Sequence, residues 1–564
     1  MPSSPVFSSL AGYQRSWWSG DVVAGLTVWA VLVPEALAYA SIAGVSPVVG
    51  LYAAPAALLF YAVFGSSKHL VVGPMAATAA LSAAAVADIA ARSGVDATEL
   101  TIALAIVTGV CGLVAGLIRL GFVASFISEP VLKGFIIGLA LTIIVGQLPH
   151  IFGVPGTEGD FFEKAWHLIT NLDETQGWTL AVGTVSLALV LGLRRFAPRV
   201  PGSLVAVAAG IAAVPMFGLE GKGVEIVGPI QSGLPSLGLP DGVGWSEYAA
   251  LASSAIGILL VGFGEGLAAA KTYATKEHYP IDPNRELMGL GAANLGAGLS
   301  SGMVVAGSLS KTAVNGSAGA RTQASGLTVA ALTIVTLLFL TGLFENLPEA
   351  TLAAVVIAAV IELVSYRPLV RLYRLHTSAL GRIYGVAARA DLIAAVAALA
   401  GVLIFDTLPG LFIGIGVSVL LIVYRASRPH VAILGKKPGT QHWVDVERHP
   451  DALTSGDVVI VRPESELFYV NADNVHAAIS SHITDRTRAV VLDLEAVPAI
   501  DFTATEMLRT LDDELTSSGV HLAIAREAGQ VGDLLRQAGA GHLVDKVHPS
   551  VDSAVRALAT EENP

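Results

Sequence analysis

Residues 34–40 read PEALAYA and residues 264–270 read GEGLAAA, and each stretch lies inside a long apolar segment. In both, a helix-disfavouring residue is followed by Glu, a small residue, Leu and Ala, and the two stretches lie 230 positions apart (264 minus 34). The same separation carries Gly73-Pro74 to position 303, just before Gly307-Ser308. Because two landmarks agree, the pattern predicts an internal repeat whose halves each carry one Glu and one short run of small residues.

The composition around these stretches is typical of a membrane protein. Of the 564 residues, 53% are hydrophobic and 14% are charged, whereas soluble domains carry about 25% charged residues. The mean hydropathy of +0.67 agrees with this assignment. The net charge of −12 gives no indication of a nucleic-acid partner, and the single cysteine, Cys111, cannot form an internal disulfide.

The apolar segments predict an α-helical polytopic membrane protein, since a helix needs about 20 apolar residues to cross a bilayer. Two segments, near 74–90 and 308–320, are too polar or too short to face lipid, so we expect them to be buried in protein or to line a cavity. With these two included, we predict fourteen transmembrane segments, near 21–42, 47–64, 74–90, 100–118, 131–149, 178–193, 202–218, 248–270, 287–301, 308–320, 324–343, 351–365, 390–405 and 410–424.

The charged residues near these segments predict the orientation. Lys and Arg, such as Arg119, Arg194 and Lys271, concentrate after even-numbered segments, whereas the loops after odd-numbered segments hold acids such as Asp160 and Glu345. Basic loops stay in the cytoplasm, so we expect an inner-membrane protein with both termini cytoplasmic. Fourteen segments divide into seven plus seven, and because seven is odd, the halves are inverted repeats, an arrangement found in transporters.

The composition changes after the membrane segments. Alternating β-like and helical runs after position 440 predict a small α/β domain, with strands at 458–461, 489–494 and 520–525 and helices at 473–483, 504–517 and 529–538. The predicted organisation is a cytoplasmic N-terminal segment at 1–16, a transmembrane transport domain at 17–428, a linker at 429–440 and the α/β domain at 441–564.

Two short helices are expected to bind an anion at their N-termini, where backbone N–H groups and the helix dipole supply positive potential. The first begins at Gly73-Pro74, with Pro74 in its first turn. In the second, Ser308 is expected to be the N-cap, Ser310 adds a hydroxyl donor, and Lys311 adds positive charge. The alternatives are that both are packing helices without a ligand, and that Lys311 extends to the cytoplasmic edge of the membrane.

Glu35 and Glu265 are costly inside a membrane, and such residues are functional candidates by default. Two bare carboxylates would repel an anion, so they favour a carrier in which one or both accept a proton or bind a co-transported cation. The alternative is that they hydrogen-bond to exposed helix backbone and only hold the site together. Glu265 and Glu35 are therefore candidates for proton coupling.

The same residues resemble the sulfate permease (SLC26/SulP) family. The similarity lies in residues 21–28, 33–40 and 43–47 and in residues 308–315 with 319–323. It implies core and gate domains, seven-plus-seven inverted repeats, and a homodimer with a cytoplasmic STAS domain. It also implies an anion site between the third and tenth segments; with Thr78 from the first short helix, the expected substrate-binding residues are Glu35, Met75, Ala76, Thr78, Glu265, Ser308, Leu309, Ser310 and Lys311.

The resemblance implies a secondary active transporter of small inorganic anions, with sulfate taken up by proton symport as the leading expectation and bicarbonate or another oxyanion as further candidates. Two departures bear on this. Position 311 is Lys where similar sequences often have Arg. Lys keeps the positive charge but lacks the planar guanidinium that binds oxyanions. Ala269 replaces a hydroxyl residue of sodium-coupled relatives, which favours a proton over sodium. The alternative is an exchanger or channel for chloride, bicarbonate or dicarboxylates.

Other classes of function find no support in the sequence, which has no nucleotide-binding loop, zinc-ligand cluster or hydrolase motif. We therefore expect no enzyme, no cofactor and no metal. In the C-terminal domain, Thr503 occupies the position that resembles the phosphorylated hydroxyl of STAS switches, at the start of a helix. The alternative is that Thr503 only caps this helix and that the domain holds the dimer together.

Overall fold

The computed structural model describes residues 7–10, 12–122, 128–157, 159–197, 200–361, 364, 370, 373–374, 385–405 and 407–560. The chain forms two compact units, Met1–Ser418 and Val419–Pro564. The boundary between them falls inside the last helix of the membrane segments.

The first half of the N-terminal unit consists of a short strand and eight helices. These are α1 (Trp18–Ile42), α2 (Pro47–Phe64), β1 (Val71–Gly73), α3 (Ala76–Ser93), α4 (Ala97–Leu117), α5 (Glu129–Phe152), α6 (Phe161–Thr170), α7 (Gly177–Phe196) and α8 (Gly202–Phe217).

The second half begins with the longest of the described helices. Its elements are α9 (Trp245–Lys276), α10 (Pro283–Leu299), β2 (Ala306–Ser308), α11 (Leu309–Ser317), α12 (Ala324–Val335), α13 (Glu349–Val360), α14 (Gly385–Phe405) and α15 (Thr407–Ser427). After α12 the chain continues as a π-helical turn, Thr336–Leu340, and a 3₁₀ turn, Thr341–Phe344.

Each of the fourteen predicted segments overlaps one of these helices, and the predicted helical membrane fold is confirmed. Eight helical segments in the described chain are long and apolar enough to cross a membrane, and three apolar helices are shorter. The third and tenth segments are the short, small-residue helices α3 and α11. The count of fourteen crossings stays a prediction.

The two short helices are joined by their preceding strands. β1 and β2 pair antiparallel, with Val71 opposite Ser308 and Gly73 opposite Ala306. All six residues of the two three-residue strands are buried. Strand pairing satisfies backbone groups that would otherwise lack partners at membrane depth, and it brings the N-termini of α3 and α11 to the two ends of one small ladder.

Close helix packing explains part of the high glycine content. Between α4 and α10, a Cβ on Gly112 would lie 2.7 Å from Gly291 Cα, and one on Gly291 would lie 2.5 Å from Leu113 N. Real side chains do not tolerate such distances, so these positions need glycine for the two backbones to approach.

The helices of the N-terminal unit form two groups. In one, α1, α2, α4, α9, α10, α11 and α12 pack around β1, β2 and α3; in the other, α5, α7, α8, α13 and α14 pack together. Helix α1 contacts α8 and α13, and α3 contacts α5. The short helix α3 therefore lies where the two groups meet.

The C-terminal unit is built on a six-stranded sheet of order β4-β3-β5-β6-β7-β8. Its strands and helices are β3 (Val431–Lys436), β4 (Trp443–Asp445), β5 (Val458–Pro463), α16 (Ala472–Ser480), β6 (Ala489–Asp493), α17 (Phe502–Ser517), β7 (His521–Ala525), α18 (Gly529–Gln537), β8 (Val547–His548) and α19 (Val551–Thr560). Strands β5 to β8 are parallel, whereas β3 pairs antiparallel with β4 and β5.

The expected strands and helices of this domain are all present, but the sheet starts earlier than the sequence indicates. Residues 429–440, expected to be a linker, contain β3. Ala432 and Leu434 of this strand are buried in one apolar cluster with Val458 and Ile460 of β5. The alternation of β3 is short and is broken by Gly435, which explains why it was not recognised.

Candidate anion-binding site

The N-terminus of α11 is capped as the sequence predicts. Ser308 is the N-cap, and its Oγ accepts a hydrogen bond from Lys311 N at 3.3 Å. The Oγ atoms of Ser308 and Ser310 lie 3.1 Å apart, within hydrogen-bond distance. Ser310 and Leu309 are exposed, whereas Ser308 and Lys311 are buried. The first turn of α11 thus exposes Ser310, which carries a hydroxyl, together with the apolar Leu309.

The N-terminus of α3 differs from the prediction in one detail. The helix begins at Ala76, and Met75 precedes it in an extended conformation without a side-chain cap. Pro74 therefore lies before the first turn rather than inside it, because β1 continues to Gly73 and the chain needs two further residues to leave the ladder. Thr78 is buried and donates its hydroxyl to Met75 O at 3.2 Å. Met75 is half-buried, and Ala76 is buried beneath it.

Lys311 does not extend to the membrane edge but turns inward. Its Nζ lies 2.9 Å from Glu35 Oε2 and donates a hydrogen bond to Pro74 O, also at 2.9 Å. The same Nζ lies 5.1 Å from the centre of the Tyr39 ring, close enough for a cation–π contact. Only 2% of the Lys311 side chain and 10% of the Glu35 side chain are exposed.

This ion pair links the three elements that the repeat predicts. Glu35 comes from α1, Pro74 from the segment between β1 and α3, and Lys311 from the first turn of α11. Because the ammonium and carboxylate cancel, the remaining positive potential comes from the helix N-termini, whose first N–H groups have no partner within the helix. The partner of Glu35 is thus the Lys311 side chain rather than exposed helix backbone.

Glu265 is in a different situation. It lies on α9 between two glycines, Gly262 and Gly266, that pack against β2: a Cβ on Gly262 would lie 2.9 Å from Ala306 Cβ, and Gly307 would bring a Cβ to 2.8 Å from Gly266 Cα. Glu265 is partly exposed. Among the described residues it has neither an ion pair nor a side-chain hydrogen bond.

Hydrogen bonds behind the two short helices join residues that are far apart in the chain, so no local sequence pattern predicts them. Val71 N donates to Thr312 Oγ1 at 3.1 Å, and Asn315 Nδ2 donates to His69 O at 2.9 Å. Gln323 Nε2 donates to the carbonyl of Leu70 at 2.8 Å. These bonds tie β1 to α11 and to the segment that follows it, so they fix the relative positions of the two N-termini.

His69 also stabilises this region, through ring stacking and hydrogen bonds. Its ring stacks on Tyr273 and Tyr279, with centroids 5.7 Å away in each case. Its Nε2 lies 3.1 Å from Ala320 O, and its Nδ1 lies 3.1 Å from the Tyr279 hydroxyl. Burial lowers the pKa of His69 below its ordinary value.

Two further carboxylates are structural. Asp21 accepts hydrogen bonds from the backbone of Arg321 and Thr322. Glu286 accepts from the Tyr61 hydroxyl at 2.7 Å and from Ser66. Both are buried and fully engaged with donors, which suits a role in holding loops rather than in binding a ligand.

In the C-terminal unit, Thr503 lies exposed in the first turn of α17. It is not the cap of this helix: Asp501 is the N-cap and accepts a hydrogen bond from Ala504 N at 2.8 Å. The caps of helices favour Asp as much as Ser or Thr, so the Asp two positions earlier takes this role. The Thr503 hydroxyl therefore stands at a helix start without capping it.

One group of side chains in the C-terminal unit has the spacing of a metal site. Ligand atoms of His430, Asp445 and Glu447 lie within 4.8 Å of one another. However, Arg448 Nε lies 3.6 Å from Asp445 Oδ2 and already supplies a positive charge. We assign no metal to this group.

A helical bundle with two short helices, joined by their preceding strands and lying beside buried charges, is an architecture found in membrane transporters. Comparison with known proteins agrees: residues 18–384 match the model of the sulfate permease family, and residues 449–554 match that of the STAS domain. The chain therefore belongs to the sulfate permease family, and it is a multi-pass membrane protein that transports anions rather than an enzyme.

Individual relatives cover almost the whole chain. A protein of Mycobacterium tuberculosis described as a "Probable sulfate transporter" is 35% identical over 95% of this chain and 93% of its own length. The structure of murine solute carrier 26 family member A9, an anion transporter, superposes with a TM-score of 0.86 at 23% identity, covering 99% of this chain and 93% of that one. The transmembrane domain of a cyanobacterial bicarbonate transporter, BicA, gives 0.60 at 23% identity, covering 70% and 98%.

Proposed function

We propose that this protein takes up an inorganic oxyanion, sulfate in the first place, together with a proton. The observation that carries this proposal is the contrast between two carboxylates. Glu35 is paired with Lys311 at 2.9 Å, whereas Glu265 has no ion pair or side-chain hydrogen bond among the described residues and only a longer-range attraction from Lys133 of α5. The proposed substrate contacts are the candidate residues around the N-termini of α3 and α11: Glu35, Met75, Ala76, Thr78, Glu265, Ser308, Leu309, Ser310 and Lys311.

The chemistry of this region suits an oxyanion. Backbone N–H groups at two helix starts and the exposed Ser310 hydroxyl can donate hydrogen bonds to several oxygens of one ligand. A tetrahedral anion with four equivalent oxygens can accept bonds from both helices at once. The choice of sulfate among oxyanions rests on the relatives that carry that name.

The charges explain why a proton would accompany the anion. The Glu35–Lys311 pair contributes no net charge, so a divalent anion next to an ionised Glu265 would place three negative charges in one region of low dielectric. A proton on Glu265 removes one of them and lowers the Coulomb repulsion on the ligand. Glu265 is therefore the proposed coupling residue, and Glu35 is the residue that keeps Lys311 in place.

In the proposed transport cycle, the helices that pack around β1, β2 and α3 move against the second group of helices, α5, α7, α8, α13 and α14. This movement carries the site from one side of the membrane to the other. Helix α3 belongs to the first group and contacts α5 of the second, so a shift between the groups would expose or cover the site. From the distribution of Lys and Arg we infer an inner-membrane location with both termini in the cytoplasm. A homodimer, and a cytoplasmic partner of the STAS domain regulated through Thr503, complete the proposal.

Uptake by the purified full-length protein in liposomes tests this function. Radiolabelled sulfate, bicarbonate, chloride, nitrate and a dicarboxylate are compared with and without an inward proton gradient, while valinomycin and equal potassium hold the membrane potential at zero. We expect saturable sulfate uptake that runs uphill only when the gradient is present. Gradient-independent exchange, or an unsaturable current, would instead assign the exchanger or channel function.

The coupling role is tested with Glu265→Gln. We expect this variant to lose the response to the proton gradient while it still exchanges labelled for unlabelled sulfate. Glu247→Gln is the matched control, because Glu247 is a partly exposed carboxylate in the first turn of the same helix. It accepts a hydrogen bond from Gly244 N, and Gln preserves this cap. An undiminished gradient response in Glu265→Gln would refute the coupling role.

A further inference from the structure

Helix α6 has no counterpart among the expected membrane segments. It spans ten residues between α5 and α7, and its start is fixed by a capping box between Asp160 and Glu163. One face packs against α5 and α14, and Leu168 on this face is buried. At about 1.5 Å per residue, the helix is roughly 15 Å long, half the thickness of the hydrocarbon core. It therefore cannot cross the membrane.

A second face of α6, roughly 120° around the helix axis from Leu168, is apolar and uncovered. Phe162, Trp166 and Ile169 are 55%, 68% and 60% exposed. Their spacing of four and three residues places them on a single stripe of the helix. A helix at the surface of a soluble domain turns a polar face to solvent, whereas α6 exposes this apolar stripe beside its exposed polar residues Glu163 and Thr170.

The surfaces next to α6 indicate what covers this stripe. At the end of α14, which packs against α6, Ile404 and Phe405 are also exposed. Trp178, at the start of α7, is exposed as well. Exposed aliphatic side chains on membrane helices face lipid, and tryptophan is enriched where the acyl chains meet the headgroups. The stripe on α6 continues this lipid-facing surface.

We propose that α6 is an interfacial helix that lies in the plane of the membrane, with its Phe162–Trp166–Ile169 stripe inserted at the boundary between headgroups and acyl chains. The leaflet is the one at which α5 ends. Because α6 packs on α5 and α14, this contact holds the α5, α7, α8, α13 and α14 group at a fixed depth, against which the other helices move. The proposal does not depend on which anion is carried.

The depth of the stripe can be measured by spin labelling, since Cys111 is the only native cysteine. In a Cys111→Ser background with intact uptake, Trp166→Cys and Phe162→Cys are each labelled with a nitroxide in liposomes. We expect greater collision with oxygen than with a water-soluble nickel complex at both positions. Glu220→Cys is the control, because Glu220 is exposed in the loop after α8, and we expect the opposite preference there.

Two results would overturn the lipid assignment. Equal exposure of positions 166 and 220 to the nickel complex would show that the stripe faces water. Strong dipolar coupling between labels at position 166, lost on dilution with unlabelled protein, would show that a second copy covers it. The anchoring role has its own test: Trp166→Glu should lower the maximal uptake rate at least about twofold at an unchanged KM, whereas Trp166→Phe should keep it. Unchanged uptake in Trp166→Glu would refute that role.

Discussion

Replacing Lys311 with methionine is the sharpest test of the site. Methionine fills a similar volume but removes the charge, so the Glu35 carboxylate, 10% exposed, keeps no cation beside it. Removing one partner of a buried ion pair costs about 3–5 kcal/mol. The carbonyl of Pro74 also loses its donor. We expect a markedly lower unfolding temperature and no measurable sulfate uptake.

The double variant Glu35→Gln/Lys311→Met separates stability from binding. Replacing both members of a buried pair by neutral groups is often close to neutral, so we expect the double variant to unfold at a higher temperature than Lys311→Met alone. Uptake should stay low, because methionine cannot donate to Pro74 O and so no longer ties the start of α11 to the segment before α3. The assay is thermal unfolding of the purified protein in detergent, with uptake measured in parallel.

Lys436→Met is the matched control for this cycle. Lys436 Nζ lies 2.8 Å from Asp552 Oδ1, a similar distance, but the two side chains are 33% and 25% exposed. A pair with this much solvent contact contributes about 1 kcal/mol or less, so the unfolding temperature should change little. The reasoning fails if Lys311→Met is as stable as the wild type, or if the double variant is as unstable as the two single variants added together.

Three further predictions follow from the geometry. Ser310→Ala removes the hydroxyl donor at the start of α11. It should raise the KM for sulfate about tenfold, because a hydrogen bond to a charged group contributes about 1.5–3 kcal/mol. The control Ser317→Ala, at the exposed end of the same helix, should leave the KM unchanged. Gly50→Ala should prevent recovery of folded protein, because the new Cβ would lie 2.0 Å from the backbone oxygen of Ala36. The control Gly146→Ala should fold, because a Cβ there has no other atom within 4 Å. Gel filtration of the purified variants measures the folded fraction. Burial lowers the pKa of His69, so the folded protein favours the neutral imidazole. The neutral ring therefore contributes its full stability above the ordinary histidine pKa of about 6.5, and this contribution is lost as the pH falls below that value. We expect a smaller acid-induced drop in unfolding temperature in His69→Gln than in the wild type.

The features that could be predicted from the sequence are local in the chain. Long apolar runs define the membrane helices because lipid demands about 20 such residues in succession. The Ser308 cap follows from a hydroxyl three residues before Lys311, which needs only the geometry of one helical turn. The repeat could be found because Glu35 and Glu265 each lie within a short recognisable stretch.

The features that were missed depend on contacts between distant residues or on short elements. Glu35 and Lys311 are 276 positions apart (311 minus 35), and no local pattern indicates that their side chains meet. The bonds of His69 to Ala320 and Tyr279 are of the same kind. Helix α6 was not predicted because it has only ten residues and is amphipathic, whereas the sequence pattern of a membrane-crossing helix is about 20 apolar residues in succession.

The repeat also explains why its two carboxylates differ. Helices α3 and α11 begin at Ala76 and Leu309, so the third helical residue is Thr78 in one and Lys311 in the other. Thr78 bonds back to its own helix start, whereas Lys311 crosses to Glu35 of the opposite half. A symmetric pair of helices with a single cation can neutralise only one of the two carboxylates. This asymmetry supports the proposal that Glu265, rather than Glu35, is the carboxylate that accepts a proton when the anion binds.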